Sequence, residues 1–528
     1  MAAAAISAPV LDERPTNYAD RIGSEVVGHK SAAYRKQIGI YLTPVEVADF
    51  VAAGYENNAT TIRILDPAAG SGTLVCALIE ALAGRREKDR PRSVDLVVYE
   101  IDVELADALT VVVGYLQDWA ARRDISLRTI IRNQDFVLEH AQRLRSTGDL
   151  FDTREEPPFD LVVANPPYFK LPKSDPRSQP TTSVIHGQPN MYALFMAASA
   201  ALLREGGELA FITPRSFTSG PYFRLFRERF FADVRLVAVH LFSSRRDTFG
   251  RDHVLQENVI VRGIRNDEWY KKSEYATLLV SSSHGLADLN NSVRRSMPLT
   301  DALDMTSTDR VLRLPILERE DEAVRLVDSW PGSLHEYGLN ISTGPVVPFR
   351  ATEFLDTADV PNAALTPLIW MHHVHAMRMR WPNDVRKPQY IKRSATERSL
   401  LVPNRNYVLL RRFSAKEDLR RLVAAPWIRG ATTSQLLGLE NHLNYIHRPG
   451  GELEEDEAWG LAALLNSALL DTYFRVSSGN TQVSSTELRR MPLPRREVLL
   501  SIGRHARTVG DTHTEIDDLV SDALGVAR

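Results

Sequence analysis

Apolar and polar residues alternate along residues 36–265 in a way that is typical of a parallel α/β sheet. Short apolar runs, which predict buried strands, recur between longer segments whose apolar residues have helical spacing. The predicted strands cover residues 62–65, 96–99, 129–131, 161–163, 209–212, 234–240 and 258–261. A clear helical pattern covers residues 192–203. The first half of the chain is therefore predicted to be an α/β domain.

The pattern changes beyond residue 265. Residues 266–340 are more polar and irregular, and residues 341–528 combine short strand-like segments with many arginines and aromatic residues. Helical patterns return near residues 458–475 and 496–524. We expect three parts, which are a poorly ordered arm (1–29), an α/β domain (30–270) and an α+β domain (271–528).

A strand, a glycine-rich turn and the start of a helix follow one another in residues 64–74. Glycine lets the backbone approach a ligand closely, and Asp66 at the strand end can receive a cationic or hydroxylated group. The helix N-terminus favours a negative group such as a carboxylate. Dinucleotide-binding sites and tight structural turns share this arrangement, so both interpretations stay open at this point.

Acidic residues at the next two strand ends narrow the choice. Glu100 is placed to bind the hydroxyl groups of a ribose, whereas Asp102 is suited to cap the following helix. Asp135 can accept a hydrogen bond from the amino group of an adenine, while Phe136 packs on the ring. The three strand ends together indicate a nucleotide-like cofactor.

The most informative segment is residues 162–169, where an apolar strand runs into Asn165, Pro166, Pro167 and Tyr168. The two prolines remove backbone donors, so the loop presents carbonyl groups rather than N–H groups. The side-chain oxygen of Asn165 and the carbonyl oxygen of Pro166 can accept both hydrogen bonds from a planar amino group. Its lone pair is then directed toward an electrophile, while Tyr168 offers a face on which a heterocycle can stack. The plainer alternative is a rigid structural turn.

These segments resemble the class I S-adenosylmethionine-dependent methyltransferases, and among them the gamma-class adenine-N6 DNA methyltransferases of type II restriction-modification systems. The resemblance implies a Rossmann-like domain with a mixed, mostly parallel seven-stranded sheet, followed by a C-terminal α+β target-recognition domain. It implies S-adenosylmethionine as cofactor, and direct in-line methyl transfer to an adenine flipped out of double-stranded DNA. A cognate restriction endonuclease would be a separate chain. Within the group, the modification enzymes paired with PstI-like nucleases are the most similar.

The resemblance also assigns roles to individual residues, and it identifies residues 35–44 as a segment that completes the cofactor pocket. The residues expected to bind the cofactor are Tyr41, Thr43, Pro44, Asp66, Ala68, Gly70, Glu100, Ile101, Asp135, Phe136 and Asn165. The residues expected to be catalytic are Asn165, Pro166 and Tyr168. The residues expected to bind the substrate are Pro167, Tyr168, Lys170, Phe249, Asn480 and Gln482, with Phe249 as a second stacking partner for the base.

Related chemistries remain to be weighed. Cytosine-C5 methylation needs a cysteine nucleophile, but the one cysteine, Cys76, follows the glycine turn, where a buried structural role fits better. Cytosine-N4 enzymes usually carry serine where this chain has Asn165. A protein-glutamine or RNA methyltransferase with the same loop, and a catalytically inactive DNA-binding module, are the remaining alternatives.

Composition limits the other function classes. A single cysteine in 528 residues excludes a disulfide framework and a multi-cysteine zinc site, and we expect a cytoplasmic bacterial protein without a metal. The net charge of −3 argues against indiscriminate coating of nucleic acid, yet residues 371–430 contain 14 Lys and Arg against 4 Asp and Glu. The candidate phosphate contacts in this region are Arg405, Arg411, Arg412 and Lys416. The histidines that could suggest a metal site are His372, His373, His375 and His442.

Overall fold

The computed structural model describes residues 6–140, 157–181, 189–243, 257–271, 276–357, 364–383, 387–414, 418–478, 482–508 and 510–526. The chain divides into two compact units, Met1–Ile316 and Leu317–Arg528. The division falls later than residue 270, the predicted end of the α/β domain, because two further strands continue the sheet of the first unit. No helix in the described residues is both long and apolar enough to cross a membrane.

Nine strands form the central sheet of the first unit. They are β1 (Thr61–Asp66), β2 (Ser93–Tyr99), β3 (Ser126–Arg132), β4 (Phe159–Ala164), β5 (Leu203–Pro214), β6 (Val234–Phe242), β7 (Asn258–Arg265), β8 (Thr277–Ser283) and β9 (Val293–Pro298). Their order in the sheet is β3-β2-β1-β4-β5-β7-β6-β8-β9. All seven predicted strands are confirmed.

The strand directions confirm the predicted Rossmann-like class I methyltransferase fold. Strands β1 to β5 run parallel to one another, whereas β7 runs antiparallel to both β5 and β6. The predicted count of seven strands is wrong, because β8 pairs parallel with β6, and β9 pairs antiparallel with β8. Most residues of β9 are exposed, so the alternation that signals a buried strand is weak there.

Helices cover both faces of this sheet. They are α1 (Pro15–Gly28), α2 (Ala32–Ile38), α3 (Val45–Ala52), α4 (Thr73–Ala83), α5 (Val103–Ala121), α6 (Phe136–Glu139), α7 (Met191–Leu202), α8 (Arg224–Asp233) and α9 (Leu299–Ala302). One hydrophobic core joins the sheet to α1, α3, α4 and α5, and the other joins it to α7 and α8. Within residues 1–29, predicted to be a poorly ordered arm, the structure has α1, and Tyr18 and Ile22 are buried in the first of these cores.

The second unit is α+β, as predicted. Its strands are β10 (Asn340–Thr343), β11 (Leu355–Asp356), β12 (Leu365–Ile369), β13 (Val374–His375), β14 (Arg378–Met379), β15 (Tyr390–Lys392), β16 (Leu401–Pro403), β17 (Tyr407–Arg411), β18 (Ala424–Trp427), β19 (Leu436–Leu439) and β20 (Leu443–His447). Its helices are α10 (Glu318–Asp328), α11 (Glu455–Asn466), α12 (Ala468–Ser477), α13 (Ser485–Arg489), α14 (Arg496–Ala506) and α15 (His513–Leu524). The sheet orders are β10-β20-β17-β18, β11-β15-β12-β19-β16 and β13-β14.

Two glycines let the helices of the second unit pack closely. A Cβ atom on Gly460 of α11 would overlap the carbonyl oxygen of Leu499, and one on Gly503 of α14 would overlap that of Asp456.

The single helical pattern predicted for residues 458–475 corresponds to two helices, α11 and α12, because the side chain of Ser467 caps a new helix there.

Candidate active site

A cavity of about 590 Å³ opens at the carboxyl ends of β1, β2 and β4. Strand β1 lies between the other two, so this is the point at which the strand order reverses, where α/β sheets bind their ligands. The walls come from residues 37–42, 67–68, 70, 99–101, 105, 134–136, 165, 167 and 169–172, with contributions from Asp175, Arg177, Met191 and Phe195. This volume suits a small organic ligand or cofactor.

The glycine turn forms the floor of the cavity. Gly70 and Gly72 have φ of +56° and +91°, a left-handed conformation that favours glycine, and α4 begins at the next residue. Ala68 and Gly70 line the cavity, as predicted, whereas Asp66 lies beneath the turn, 1% exposed. Its side chain accepts a hydrogen bond of 3.0 Å from the backbone N–H of Ala68.

Glu100 reaches the same floor from β2. Its carboxylate accepts hydrogen bonds from the N–H groups of Gly70, at 2.9 Å, and Asp102, at 2.8 Å. Burial raises the pKa of Asp66 to about 8 and that of Glu100 to about 7. Neither carboxylate has a cationic partner among the described residues. Such a pair suits a ligand that carries hydroxyl groups and positive charge.

Asp102 has a separate, structural task. Its side chain caps α5 by accepting a hydrogen bond of 3.0 Å from the N–H of Leu105. It also accepts bonds of 2.9 Å from Lys30 Nζ and from the hydroxyl of Tyr34. The prediction that Asp102 caps the following helix is confirmed.

The opposite end of the cavity is aromatic. Phe136 is buried against Tyr99 and Phe195, with ring centroids 5.1 and 5.3 Å away. Ile101 is half exposed and lines the same end. Asp135 caps α6 through Leu138, and its second oxygen accepts a hydrogen bond from Arg177. The predicted Ile101, Asp135 and Phe136 are thus brought together.

The loop after β4 holds Asn165 in a defined orientation. The amide nitrogen Nδ2 donates to Thr43 Oγ1 at 3.0 Å and to the carbonyl oxygen of Tyr41 at 3.3 Å. Because two acceptors face Nδ2, the oxygen Oδ1 is the accepting atom of the amide. It accepts a hydrogen bond from the Tyr168 hydroxyl, and an amide oxygen can accept a second one. Thr43 and Pro44 were predicted to contact the cofactor, but neither lines the cavity. In the structure, Thr43 positions the Asn165 amide and Pro44 precedes α3.

The ring of Tyr168, predicted to be a stacking platform, is only 8% exposed. Tyr41 lies nearly parallel to it, with centroids 5.8 Å apart and an interplanar angle of 18°. Tyr192 approaches edge-on at 6.3 Å, and the Tyr168 hydroxyl lies 2.9 Å from the carbonyl oxygen of Ile212 and also contacts Asn165 Oδ1. In this conformation Tyr41 covers the predicted platform.

The remaining loop residues differ in their placement. Pro167 and Lys170 line the cavity, whereas Pro166 is buried in the loop. The Lys170 ammonium lies 5.7 Å from the ring centre of Tyr222. Phe249, the predicted second stacking partner, lies outside the described residues.

Several predicted contacts belong to the second unit. Asn480 and Lys416 lie outside the described residues, and Gln482 accepts a hydrogen bond of 3.4 Å from Arg412. Arg405 and Arg411 each donate to a backbone carbonyl oxygen, of Gly451 and Val374 respectively. Contacts of these side chains with phosphate stay predictions.

His373, one of the candidate metal ligands, forms a hydrogen bond within the fold. His373 accepts a hydrogen bond from the N–H of Trp370 at 2.9 Å, and burial lowers its pKa to about 4. The part of the chain that the structure describes contains no group of three or more His, Cys, Asp or Glu placed to hold a metal ion. Cys76 is buried within α4, and burial raises the pKa of its thiol, so the predicted structural role is confirmed.

Arg177 and Asp175 are site residues that the sequence did not reveal. Both line the cavity near the aromatic end, in the segment that follows the catalytic loop. Asp175 pairs with Arg177 in the same segment, whereas Arg177 also reaches Asp135, which follows β3, and no local motif marks this second contact. Periodicity and motif spacing carry no signal for such long-range pairs.

Known proteins similar to this chain point to one enzyme group. A family model for the Eco57I restriction-modification methylase matches residues 98–249. The chain is 30% identical over 491 residues to the type II methyltransferase M.PstI of Providencia stuartii, covering 93% of both chains. It is 31% identical over 501 residues to the type II methyltransferase M.BsuBI of Bacillus subtilis, covering 93% of this chain and 94% of the relative.

Solved structures agree on the fold. DrdV, determined by cryo-EM in complex with DNA, matches 93% of this chain and 59% of its own, with a TM-score of 0.51 at 13% identity. A nuclease-deletion mutant of the type ISP restriction-modification enzyme LlaGI, in complex with a DNA substrate mimic, matches 88% and 46%, with a TM-score of 0.50 at 11% identity. At these identities the likeness concerns the fold alone.

Proposed function

The chain belongs to the type II methyltransferases of restriction-modification systems, and on that premise we propose that it methylates the N6 amino group of an adenine in double-stranded DNA. The methyl donor is S-adenosylmethionine. The observation that carries the proposal is the Asn165 amide, which lines a nucleotide-sized cavity and is oriented by Tyr41 and Thr43 so that its oxygen is the accepting atom. That oxygen accepts from the Tyr168 hydroxyl and has capacity for one further hydrogen bond.

The polar and apolar side chains that line the cavity fit this cofactor. Glu100 is placed to accept hydrogen bonds from the ribose hydroxyls, and Asp135 from the amino group of the adenine. Ile101 offers an apolar surface for the ring. Asp66 lies beneath the turn, where a bound cationic group would favour its ionised form. The raised pKa values of Asp66 and Glu100 are consistent with carboxylates that await such a partner.

Asn165 and Pro166 act on the acceptor amino group. The cofactor, when bound, supplies an electrophilic methyl group on a positively charged sulfur. Asn165 Oδ1 and the Pro166 carbonyl oxygen would accept the two N–H bonds of the amino group, which directs its lone pair toward that methyl group. The N–C bond forms as the C–S bond breaks, and the nitrogen then releases one proton to solvent.

An adenine within a duplex cannot reach this loop, so the base must leave the helix first. Stacking of the base on Tyr168 requires Tyr41 to give way, because the Tyr41 ring now covers it. Phe249 is proposed as the second stacking partner, and residues 371–430 as a source of phosphate contacts. A cognate endonuclease would be a separate chain.

The proposal is tested by sequencing the DNA of a methylation-deficient host at single-molecule level after expression of the full chain. We expect N6-methyladenine at one short motif, lost with Asn165→Ala, by a factor of about 10² or more. Asn291→Ala, at an exposed surface position, is the matched control and should methylate normally. Radiolabelled methyl groups found on protein or RNA, with DNA unmodified, would overturn the proposal in favour of the protein-glutamine or RNA alternative.

A further inference from the structure

Two backbone hydrogen bonds hold the start of the segment that follows the catalytic loop. The N–H of Leu171 donates to the carbonyl oxygen of Pro189, and the N–H of Met191 donates to that of Phe169. A short 3-10 helix, Pro176–Thr181, then brings Arg177 back to the cavity wall. The catalytic loop and the aromatic end of the cavity are therefore connected through about a dozen residues.

Asp175, in the same segment, restrains the guanidinium group of Arg177. Its Nε donates to Asp175 Oδ1 at 2.8 Å, and its Nη2 donates to Asp175 Oδ2 at 2.7 Å. The guanidinium carbon lies 5.9 Å from the ring centre of Phe169 in the catalytic loop. A bidentate pair of this kind restrains the orientation of the whole guanidinium group.

The remaining guanidinium nitrogen of Arg177 forms a hydrogen bond with a residue of the opposite cavity wall. Arg177 Nη1 donates to Asp135 Oδ2 at 3.3 Å, while Asp135 Oδ1 accepts the hydrogen bond of the α6 cap from Leu138. Both oxygens are thereby held in place. An ionised carboxylate has about four acceptor positions, so Asp135 keeps acceptor capacity that can face the cavity.

We propose that Arg177 is a positioning residue that fixes the Asp135 carboxylate for the amino group of the cofactor's adenine and ties residues 170–181 to that end of the cavity. The inference rests on the proposed function, because Asp135 is there the acceptor for that amino group. It extends the cofactor site to the segment that directly follows the catalytic loop.

The consequence is selective. A ligand whose purine carries an amino group uses Asp135 as an acceptor, whereas one with a carbonyl oxygen at that position presents no donor to it. Removal of Arg177 should therefore weaken the first ligand much more than the second. A general loosening of the wall would weaken both equally.

The test is calorimetric titration of the full chain with S-adenosylhomocysteine and with S-inosylhomocysteine, in which a carbonyl oxygen replaces the amino group. We expect the wild type to favour the adenosyl ligand. Arg177→Ala should bind it about tenfold more weakly, as for the loss of one charge-assisted hydrogen bond, with little change for the inosyl ligand. Arg177→Lys should lie between, because one ammonium cannot span both aspartates.

Arg128→Ala is the matched control, since Arg128 is 73% exposed in its ion pair with Asp95, and its variant should bind like the wild type. Equal weakening of both ligands by Arg177→Ala, or an unchanged preference, would overturn the role of Arg177 alone. No preference in the wild type would overturn the assignment of Asp135. If the wild type bound neither ligand, the proposed function itself would fail, and this inference with it.

Discussion

Each unit of the molecule contains a pair of acidic side chains that are fully or largely withdrawn from solvent, and the two pairs differ in the partners that they have. In the first unit, Asp66 and Glu100 accept hydrogen bonds from backbone N–H groups beside an open cavity. In the second unit, Glu457 is fully buried and accepts two hydrogen bonds from Arg448, at 2.9 and 2.8 Å. Arg496 approaches the same carboxylate at 3.4 Å.

Asp471 completes the second pair. It accepts hydrogen bonds from the N–H of Leu422 at 3.2 Å and from Arg475 Nε at 2.6 Å. Burying a charge is costly unless it is paired, so an acidic group saturated by arginine belongs to the fold. An acidic group that is buried beside a cavity, with a raised pKa and only N–H partners, fits a ligand instead. The difference separates structural from functional carboxylates.

The largest effect that this comparison predicts is on stability in the second unit. Glu457→Gln should lower the free energy of unfolding by about 3–5 kcal/mol, because it leaves two arginines without their buried counter-charge. Chemical denaturation followed by circular dichroism measures the loss. A change below about 1 kcal/mol would mean that the Glu457 pair does not hold the fold.

Glu100→Gln should have the converse effect. We expect affinity for S-adenosylhomocysteine to fall about 10- to 100-fold, as for the loss of one or two charge-assisted hydrogen bonds, without a loss of stability. The amide removes a buried charge that lacks a cation, so the free energy of unfolding should stay equal or rise. Calorimetric titration and denaturation of the same preparation measure both quantities. Unfolding of this variant to the extent of Glu457→Gln would erase the distinction between the two pairs.

A pH dependence follows from the same groups. Because burial raises the pKa of Glu100 to about 7 and that of Asp66 to about 8, the folded state binds these protons more tightly than the unfolded chain. Their contribution to stability is therefore fully present below about pH 4 and is lost as the pH rises through 7 to 8, by up to about 1.4 kcal/mol per pH unit for each group.

The measurement is the unfolding free energy from pH 5 to 8 without added cofactor, for the wild type and Glu100→Gln. The variant should show the shallower decline. Affinity for S-adenosylhomocysteine should rise over the same range in the wild type, because the ribose hydroxyls donate to the ionised Glu100. A flat profile in the wild type would contradict the raised pKa values.

The features predicted correctly from sequence were local ones. Seven strands followed from apolar runs, and the position of Asn165 and Glu100 at one cavity followed from polar residues placed directly after buried strands, while their roles stay predictions. The chain itself brings such residues to one edge of a parallel sheet, so neighbouring positions suffice to infer the site. Strand β9 was missed because its residues are mostly polar and exposed, and β8 because its apolar run is only three residues long before three serines.

The features that were missed depend on contacts between distant parts of the chain. The hydrogen bond between Thr43 and Asn165, 122 residues apart, and the stacking of Tyr41 on Tyr168 were not predicted. The pair of Arg177 with Asp135 spans 42 residues. No residue spacing announces which side chain will face another across a cavity, since packing of whole elements decides it.

The smallest predicted effect concerns Glu455, an exposed acidic residue close to Glu457 in the second unit. Glu455 lies on α11, two residues before Glu457, and its side chain is 52% exposed in an ion pair with Arg507. Solvent screens such a pair, so Glu455→Gln should change the free energy of unfolding by less than about 1 kcal/mol. Glu455→Gln and Glu457→Gln remove the same charge from the same helix turn, but the two glutamates differ in burial and in their arginine partners. Equal losses by chemical denaturation would show that charge number, and not the burial of Glu457 between Arg448 and Arg496, stabilises the second unit.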